Sequence, residues 1–422
     1  MGIPHGDWAS TTLDQVAVQV RRAVSPNDAQ GLPYVGLEHI DSGDPHLNRS
    51  GLPAEVRSAK SAFKAGDVLY GKLRPYLDKA VLAESPGICS TDIIVLRCLE
   101  HIIPDYLVAL LHSQPFVQHA VRHVNGVNHP RTSWSALSRY RFLLPPLPEQ
   151  RAIARALKAV QAARDARRRE LELERERKAA LMEHLFTKGT RGEPTKMTEI
   201  GEMPESWEVV ELGALCGSGG WVQTGPFGSQ LHASDYRDTG IPVVNPTHLR
   251  ENDVDESQLP RISPDRAHQL KRYSLDEGDI LISRRGDFGR YSLVSGHRAG
   301  WLGGTGCLIV RIRSVSVSNG FVALYIGTRA AQDYLMRQSV GTTMPNLNIR
   351  ILRALKVPLP SVEEQMDVVQ ALELALMASV ALRREIALLD ELFKALLQEL
   401  MTGRLSAVGL IEGGTAEPNG GE

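Results

Sequence analysis

Leu144-Pro-Pro-Leu-Pro-Glu-Gln150 and Val357-Pro-Leu-Pro-Ser-Val-Glu-Glu-Gln365 carry one signal twice: prolines that stop what precedes, then the acidic first turn of a helix. A long helical stretch follows each copy, from about Glu149 to Phe186 and from about Glu363 to Met401. Gly189 and Gly403 close the two stretches, in Leu185-Phe-Thr-Lys-Gly189 and Leu400-Met-Thr-Gly-Arg404. Upstream the doubling continues. Asn125-Gly-Val-Asn-His-Pro-Arg131 lies opposite Val340-Gly-Thr-Thr-Met-Pro-Asn346, and Ala65-Gly-Asp-Val-Leu-Tyr70 opposite Glu277-Gly-Asp-Ile-Leu-Ile282. Gly31-Leu-Pro-Tyr-Val35 is echoed by Gly240-Ile-Pro-Val-Val244, and Trp8 to Leu13 by Trp207 to Leu212. The blocks keep their order, and the offset between copies drifts without reversing. Chance similarity does not do this, so the chain is an internal repeat. The largest insertion lies between the first two blocks, where only the second half has Gln223-Thr-Gly-Pro-Phe-Gly-Ser229.

Within each half, short β-branched runs (Asp67–Tyr70, Ile93–Leu96, Ile280–Ser283, Leu308–Ile312) alternate with Gly, Pro and Asn turns. A short amphipathic helix is expected around Tyr106–His112 and around Val322–Leu335. In the second long helix Met366, Val369, Leu372, Leu376, Val380, Ile386, Leu389, Phe393, Leu396 and Leu400 fall mostly at three- and four-residue steps, a coiled-coil seam. The first is apolar mostly near its ends, at Ile153, Leu157, Val160, Leu171, Leu181 and Leu185. Its middle, Arg164–Lys178, is mostly charged and reads as a solvated or partner-docking face. The fold class is α/β (α+β): two homologous domains and two long helices packed as an antiparallel coiled coil. The domains run 1–148 and 205–362, the helices 149–188 and 363–402, with a linker at 189–204 and a tail at 403–422.

Composition narrows the class. With 42% hydrophobic and 23% charged residues the chain is an ordinary globular protein, and 422 residues exceed a single ordinary core. No uninterrupted apolar run approaches the roughly 20 residues of a membrane span, and the start lacks the pattern of a secretory signal. Cys89, Cys98, Cys216 and Cys307 lack metal or redox spacing and read as buried free thiols of a cytoplasmic protein. A net charge of -1 argues against non-specific coating of DNA but leaves room for a local basic stripe.

Two such domains, each followed by a long helix opening in Pro-Leu-Pro-x-x-Glu-Gln, resemble the specificity subunits of type I restriction–modification systems. The resemblance runs from about Trp8 to Arg404. It is most specific at Pro146-Leu-Pro-Glu-Gln150, Gly71-Lys-Leu-Arg-Pro-Tyr-Leu77, Gly225-Pro-Phe-Gly-Ser-Gln-Leu231 and Ser283-Arg-Arg-Gly-Asp-Phe-Gly-Arg290. It implies that each domain reads half of a split site in double-stranded DNA while the helix pair acts as a spacer. It also implies two methyltransferase subunits docked around the helices, joined by nuclease/translocase subunits, with no catalysis by this chain. Two departures stand out: Ser361-Val362 enlarges the second block, and the first domain lacks the Gly-Pro-Phe-Gly loop.

Reading DNA requires phosphate contacts for position and base-edge contacts for sequence. After the first Gly-Asp run come Lys72, Arg74, Tyr76 and Lys79; after the second come Arg284, Arg285 and Arg290. Before the long helices stand Asn125, Asn128, His129 and Arg131 in one half, and Thr342, Thr343, Asn346 and Asn348 in the other. Arg pairs bidentately with guanine or clamps phosphate, Asn can read adenine, and Thr can touch a thymine edge. Gln223, Thr224 and Ser229 flank a glycine-shaped loop and complete the candidate set. The plainer account of the same residues is strand-end surface charge and turn-capping asparagine.

Gly66-Asp-Val-Leu-Tyr-Gly-Lys-Leu73 fits the phosphate-loop spacing, but Leu73 replaces the hydroxyl residue and the intervening run is strand-like. No methyltransferase block, cofactor fingerprint, nucleophile elbow or metal-ligand spacing is apparent. The alternatives are a coiled-coil scaffold that binds other proteins, which near-neutral charge suits, and a stand-alone DNA methyltransferase or nuclease.

Overall fold

The computed structural model describes residues 7–339 and 346–407. It divides into two compact units, Met1–Arg169 with Arg383–Glu422, and Glu170–Leu382. Each unit holds the same pair of sheets. In the first unit the strand order is Ala17–Val20, Ile93–Cys98, Val68–Gly71, Ala80–Leu82, antiparallel throughout. The second repeats it with Trp221–Thr224, Cys307–Arg311, Ile280–Ser283, Tyr291–Leu293. A smaller four-stranded sheet accompanies each, ending in a parallel pair: Tyr34–Val35 beside Gly87–Cys89, and Ile241–Val244 beside Leu302–Gly303. The central strands are almost continuously apolar because both faces are covered; Val95, Leu96, Leu308, Ile309 and Val310 are all buried. Cys89, Cys216 and Cys307 are buried free thiols as well, and Cys98 is half-buried.

Where one short helix per half is expected, two are found: Pro104–His112 with Gln114–Arg122, and Asn319–Ile326 with Arg329–Gln338. The breaks have local causes. Pro115 lacks an N–H and sits in the first turn of its helix, while the Thr328 hydroxyl accepts from Ala331 N at 3.3 Å and caps a new start.

The repeated blocks turn out to be joints. Buried Asp67 takes a bidentate pair from Arg97 (2.8 Å to each oxygen), and Asp279 takes one from Arg311 (2.8 and 2.6 Å). The Gly-Asp block is therefore a structural turn, with Gly66 and Gly278 at φ of 85° and 84°. The Glu-Gln block fastens helix to domain. Gln150 donates to His101 O and Pro145 O and accepts from Ile103 N; Gln365 does the same with Ser316 O, Pro360 O and Ser318 N. Glu149 accepts from the Trp8 indole at 2.8 Å and Glu364 from the Trp207 indole at 3.1 Å.

The long helices span Leu147–Lys188 and Val362–Met401. In the first unit, Ile153 and Leu157 share a core with Phe393, Leu397 and Leu400; in the second, Met182, Leu185 and Phe186 share one with Val368, Val369 and Leu372. The beginning of one helix thus packs beside the end of the other, the antiparallel pairing expected. The seam itself differs from the sequence reading. Met366 and Val380 are half exposed, while Gln365 and Ser379 are buried in their place, because a heptad counted from Gln365 also fits Val368, Leu372, Ala375 and Leu382. The charged middle of the first helix is likewise not a uniformly solvated face. Arg164 and Lys178 are buried, Arg164 paired with Asp44 at 2.9 Å and Lys178 with Glu251 at 2.8 Å. By length and composition alone the Val362–Met401 helix is apolar enough to cross a membrane, one 18-residue stretch of it reaching a mean hydropathy of 1.3. Asp367 and Glu373 interrupt its apolar residues. Within the second unit, just after the first long helix, Thr195–Thr198 and Gly201–Pro204 form a hairpin.

Candidate nucleic-acid interface

At one end of each large sheet, the loop after the Gly-Asp strand and the loop before the long helix are stitched into one surface. In the first unit Leu73 bridges Arg131, Arg74 N donates to Pro130 O at 2.7 Å, and Thr132 N donates to Lys72 O at 3.0 Å. In the second, Arg285 bridges Asn346 and Leu347 N donates to Arg284 O at 2.9 Å. Segments far apart in sequence, picked separately for their side chains, are neighbours in both halves.

The first unit's loops are shaped to project. Asn125 and Arg131 exchange backbone hydrogen bonds of 2.8 and 3.0 Å, closing a hairpin whose tip carries exposed Val127, Asn128 and His129. Arg74 and Asp78 both adopt left-handed backbone, φ 51° and 49°, around the turn that presents Tyr76. The Asp78 carboxylate meets His112 Nδ1 at 2.8 Å, and Asp78 O accepts from Gly43 N, so the turn is braced from behind. Arg131 shares its guanidinium with Asp92 at 3.0 Å and thereby holds that carboxyl below its ordinary range. Lys72 and Arg74 have no ion-pair partner among the described residues. Lys79 points elsewhere, its ammonium bound to Leu37 O at 2.6 Å.

In the second unit Arg284 is half-buried, donating to Leu347 O at 3.1 Å with its guanidinium 5.8 Å from the centre of the Phe227 ring. Arg285 and Arg290 are exposed, Arg290 beside Asp287 at 3.4 Å. Gln223 and Thr224 belong to a strand rather than a loop, and Gln223 donates to Arg272 O at 2.6 Å. The loop proper begins at Gly225, where a Cβ would fall 2.1 Å from Gly304 O. Gln230 accepts from Phe227 N and Tyr273 Oη, which fixes the loop with Ser229 exposed beside it. Asn346 is half-buried; Asn348 caps the helix Ile349–Arg353, accepting from Ile351 N at 2.9 Å. Thr342 and Thr343 lie outside the described residues.

Arg21 and Arg22 line a cleft with Lys72 and Arg131, and Phe227 lies by Arg284; none of the three is among the sequence candidates. They follow strands Ala17–Val20 and Trp221–Thr224, which hold the same place in the two sheets.

Comparison with known proteins gives this geometry its context. The family described as Type I restriction modification DNA specificity domain matches residues 30–175 and again residues 204–385. The EcoBI type I restriction enzyme specificity subunit of Escherichia coli is 26% identical over 435 residues, covering 96% of this chain and 87% of its own. The MjaVIII specificity subunit of Methanocaldococcus jannaschii is 23% identical over 330 residues, 76% and 74% of the two chains. Among solved structures, the type I restriction–modification S subunit from M. genitalium superposes with a TM-score of 0.57 at 15% identity, covering 95% of this chain and 98% of that one. A chain from a study of assembly and conformational transition in a type I R-M system gives 0.57 at 21% identity, over 96% and 100%. The fold is shared with these structures, the scaffold alternative finds no support in the matches, and the chain belongs to the type I restriction–modification specificity subunit family, with two copies of its domain.

Proposed function

We propose that this chain reads a bipartite site in double-stranded DNA for a type I restriction–modification complex. Each unit contributes its stitched loop pair to one half-site. The methyl transfer, cleavage and translocation belong to partner subunits, two methyltransferases and the nuclease/translocase, acting in the cytoplasm. The observation that carries this reading is the repeated junction of a strand-end cationic loop with the loop before the long helix. That junction combines phosphate-type side chains (Lys72, Arg74, Arg284, Arg285) with groups able to contact base edges (Asn125, Asn128, His129, Asn346).

Mapping methylated bases in a host expressing the chain with its methyltransferase partner, against a host lacking only this chain, tests the reading. The expected result is a new split motif: two short specified blocks around a fixed unspecified spacer. Identical methylation in both hosts, with the complex formed and soluble, would overturn it.

A further inference from the structure

Beside the first unit's loops lies a cleft of about 450 Å³. Arg21, Arg22, Lys60, Lys72 and Arg131 line it, with Trp134 at one wall, and no Asp or Glu is among its described lining residues, although Asp92 just behind them pairs with Arg131 at 3.0 Å. In a chain with 49 acidic and 48 basic residues, a concavity lined by five cations with one adjacent carboxylate is a local departure from balance. Such walls focus positive potential on a polyanion. Lys60 is buried and committed, donating to Ser58 O and Oγ, so it supplies charge without reaching out. Arg22 is exposed and has no ion-pair partner among the described residues, while Arg21 donates only to Gln19 at 2.9 Å.

A second observation points to a missing ligand. Thr132, 3% exposed, lines the same cleft, and its Oγ1 has no hydrogen-bond partner among the described residues. A buried hydroxyl without a partner is costly, and a phosphate oxygen or the water that accompanies one would relieve it.

We propose that this cleft binds the phosphodiester backbone flanking the first half-site, with Arg21 and Arg22 as phosphate-positioning residues. The inference rests on the DNA-reading function above and divides labour within it. The cleft sets register on the backbone, and the neighbouring hairpin tip reads bases. It also makes the two units unequal. At the same place after the edge strand, the second unit has Gly225-Pro226 and then exposed Phe227, so it grips that stretch of backbone with fewer charges.

The test uses the full chain in complex with its methyltransferase partner, comparing wild type, R21A/R22A and R21K/R22K. Binding to a duplex carrying the methylated motif, and to a generic duplex, is titrated from about 50 to about 200 mM salt. R21A/R22A is expected to flatten the slope of log K against log salt by about 2 on both duplexes. R21K/R22K is expected to restore the slope, and all three proteins to methylate the same motif in cells. An unchanged slope with the motif retained overturns the cleft assignment and leaves the recognition function standing. A changed specified block overturns it too, since Arg21 and Arg22 would then be reading bases. Inorganic phosphate separates the remaining source of the same chemistry: if it raises the melting temperature of wild type but not R21A/R22A, beyond matched chloride, while the DNA salt slope is the same for both, the cleft is a small-anion site and the proposal fails. Loss of all duplex preference by the wild type would instead count against the DNA-reading function itself.

Discussion

Arg74 pays for its place in the turn at the first unit's interface. A left-handed non-glycine residue costs on the order of 1–3 kcal/mol, and Asp78, at the other end of the same turn, adds a second such strain. Arg74→Gly should therefore leave the melting temperature close to wild type, relief of strain offsetting the greater freedom of the unfolded chain. The same variant should weaken duplex binding; a large loss of thermal stability with binding intact would contradict this. Asn348→Ala tests the opposite situation. The side chain is a helix cap, so the loss should be about 1 kcal/mol of stability by denaturant titration, with the methylated motif unchanged. Residues of this kind also mark where the sequence stops being readable. Lys72 and Lys79 stand in one loop with equal claims to phosphate, yet Lys79 is taken by Leu37 O, a partner that only the folded chain brings near.

The long helices show the same limit at the level of elements. Their existence, ends and pairing follow from the proline, glycine and apolar spacing. The seam was misread where apolar residues occupy outward positions and polar ones, Gln365 and Ser379, occupy inward ones. The charged stretch hid two buried cations, because a heptad position can be held by Arg or Lys if a loop from elsewhere supplies the acid. Removing one partner of such a pair typically costs about 3–5 kcal/mol, since the other is left buried and unpaired. Arg164→Met should show that loss in the first unit, and Asp44→Asn combined with it should recover part. Full additivity of the two would argue that the pair is not coupled. Acidity offers an independent reading. Burial alone would raise the Asp44 carboxyl, but hydrogen bonds from His46 and the Arg164 charge bring it from 3.8 down to about 2. A depressed carboxyl stabilises the fold above its unfolded value and loses that contribution as pH falls. About 2 kcal/mol should therefore vanish between pH about 4 and about 2 in wild type, and little in Asp44→Asn.

For the whole molecule, the repeat was legible throughout, because its blocks are the joints on which both units depend. In the candidate interface, the loops that the fold stitches together could be named from side-chain type, whereas the placement of Arg21, Arg22 and Phe227 beside them depends on which strands are equivalent. If the paired helices set the spacer, deleting one heptad from each should shorten the unspecified gap by about three base pairs, from a rise of about 10 Å. Both specified blocks should stay the same in the methylation map; altered blocks would contradict the spacer role. The joints also dictate an order of assembly. Trp8 lies against Gly403 as Trp207 lies against Gly189, and Phe393, Leu397 and Leu400 complete the first unit's core. A ribosome emits the second unit's residues as one uninterrupted stretch, but finishes the first unit only when the last helix emerges. On the nascent chain the N-terminal unit must therefore wait, its Ile153 and Leu157 uncovered, while the later-made unit closes first. Premature termination after Leu382 would leave a folded second unit joined to a sticky, incomplete first one, a natural client for chaperones and proteases.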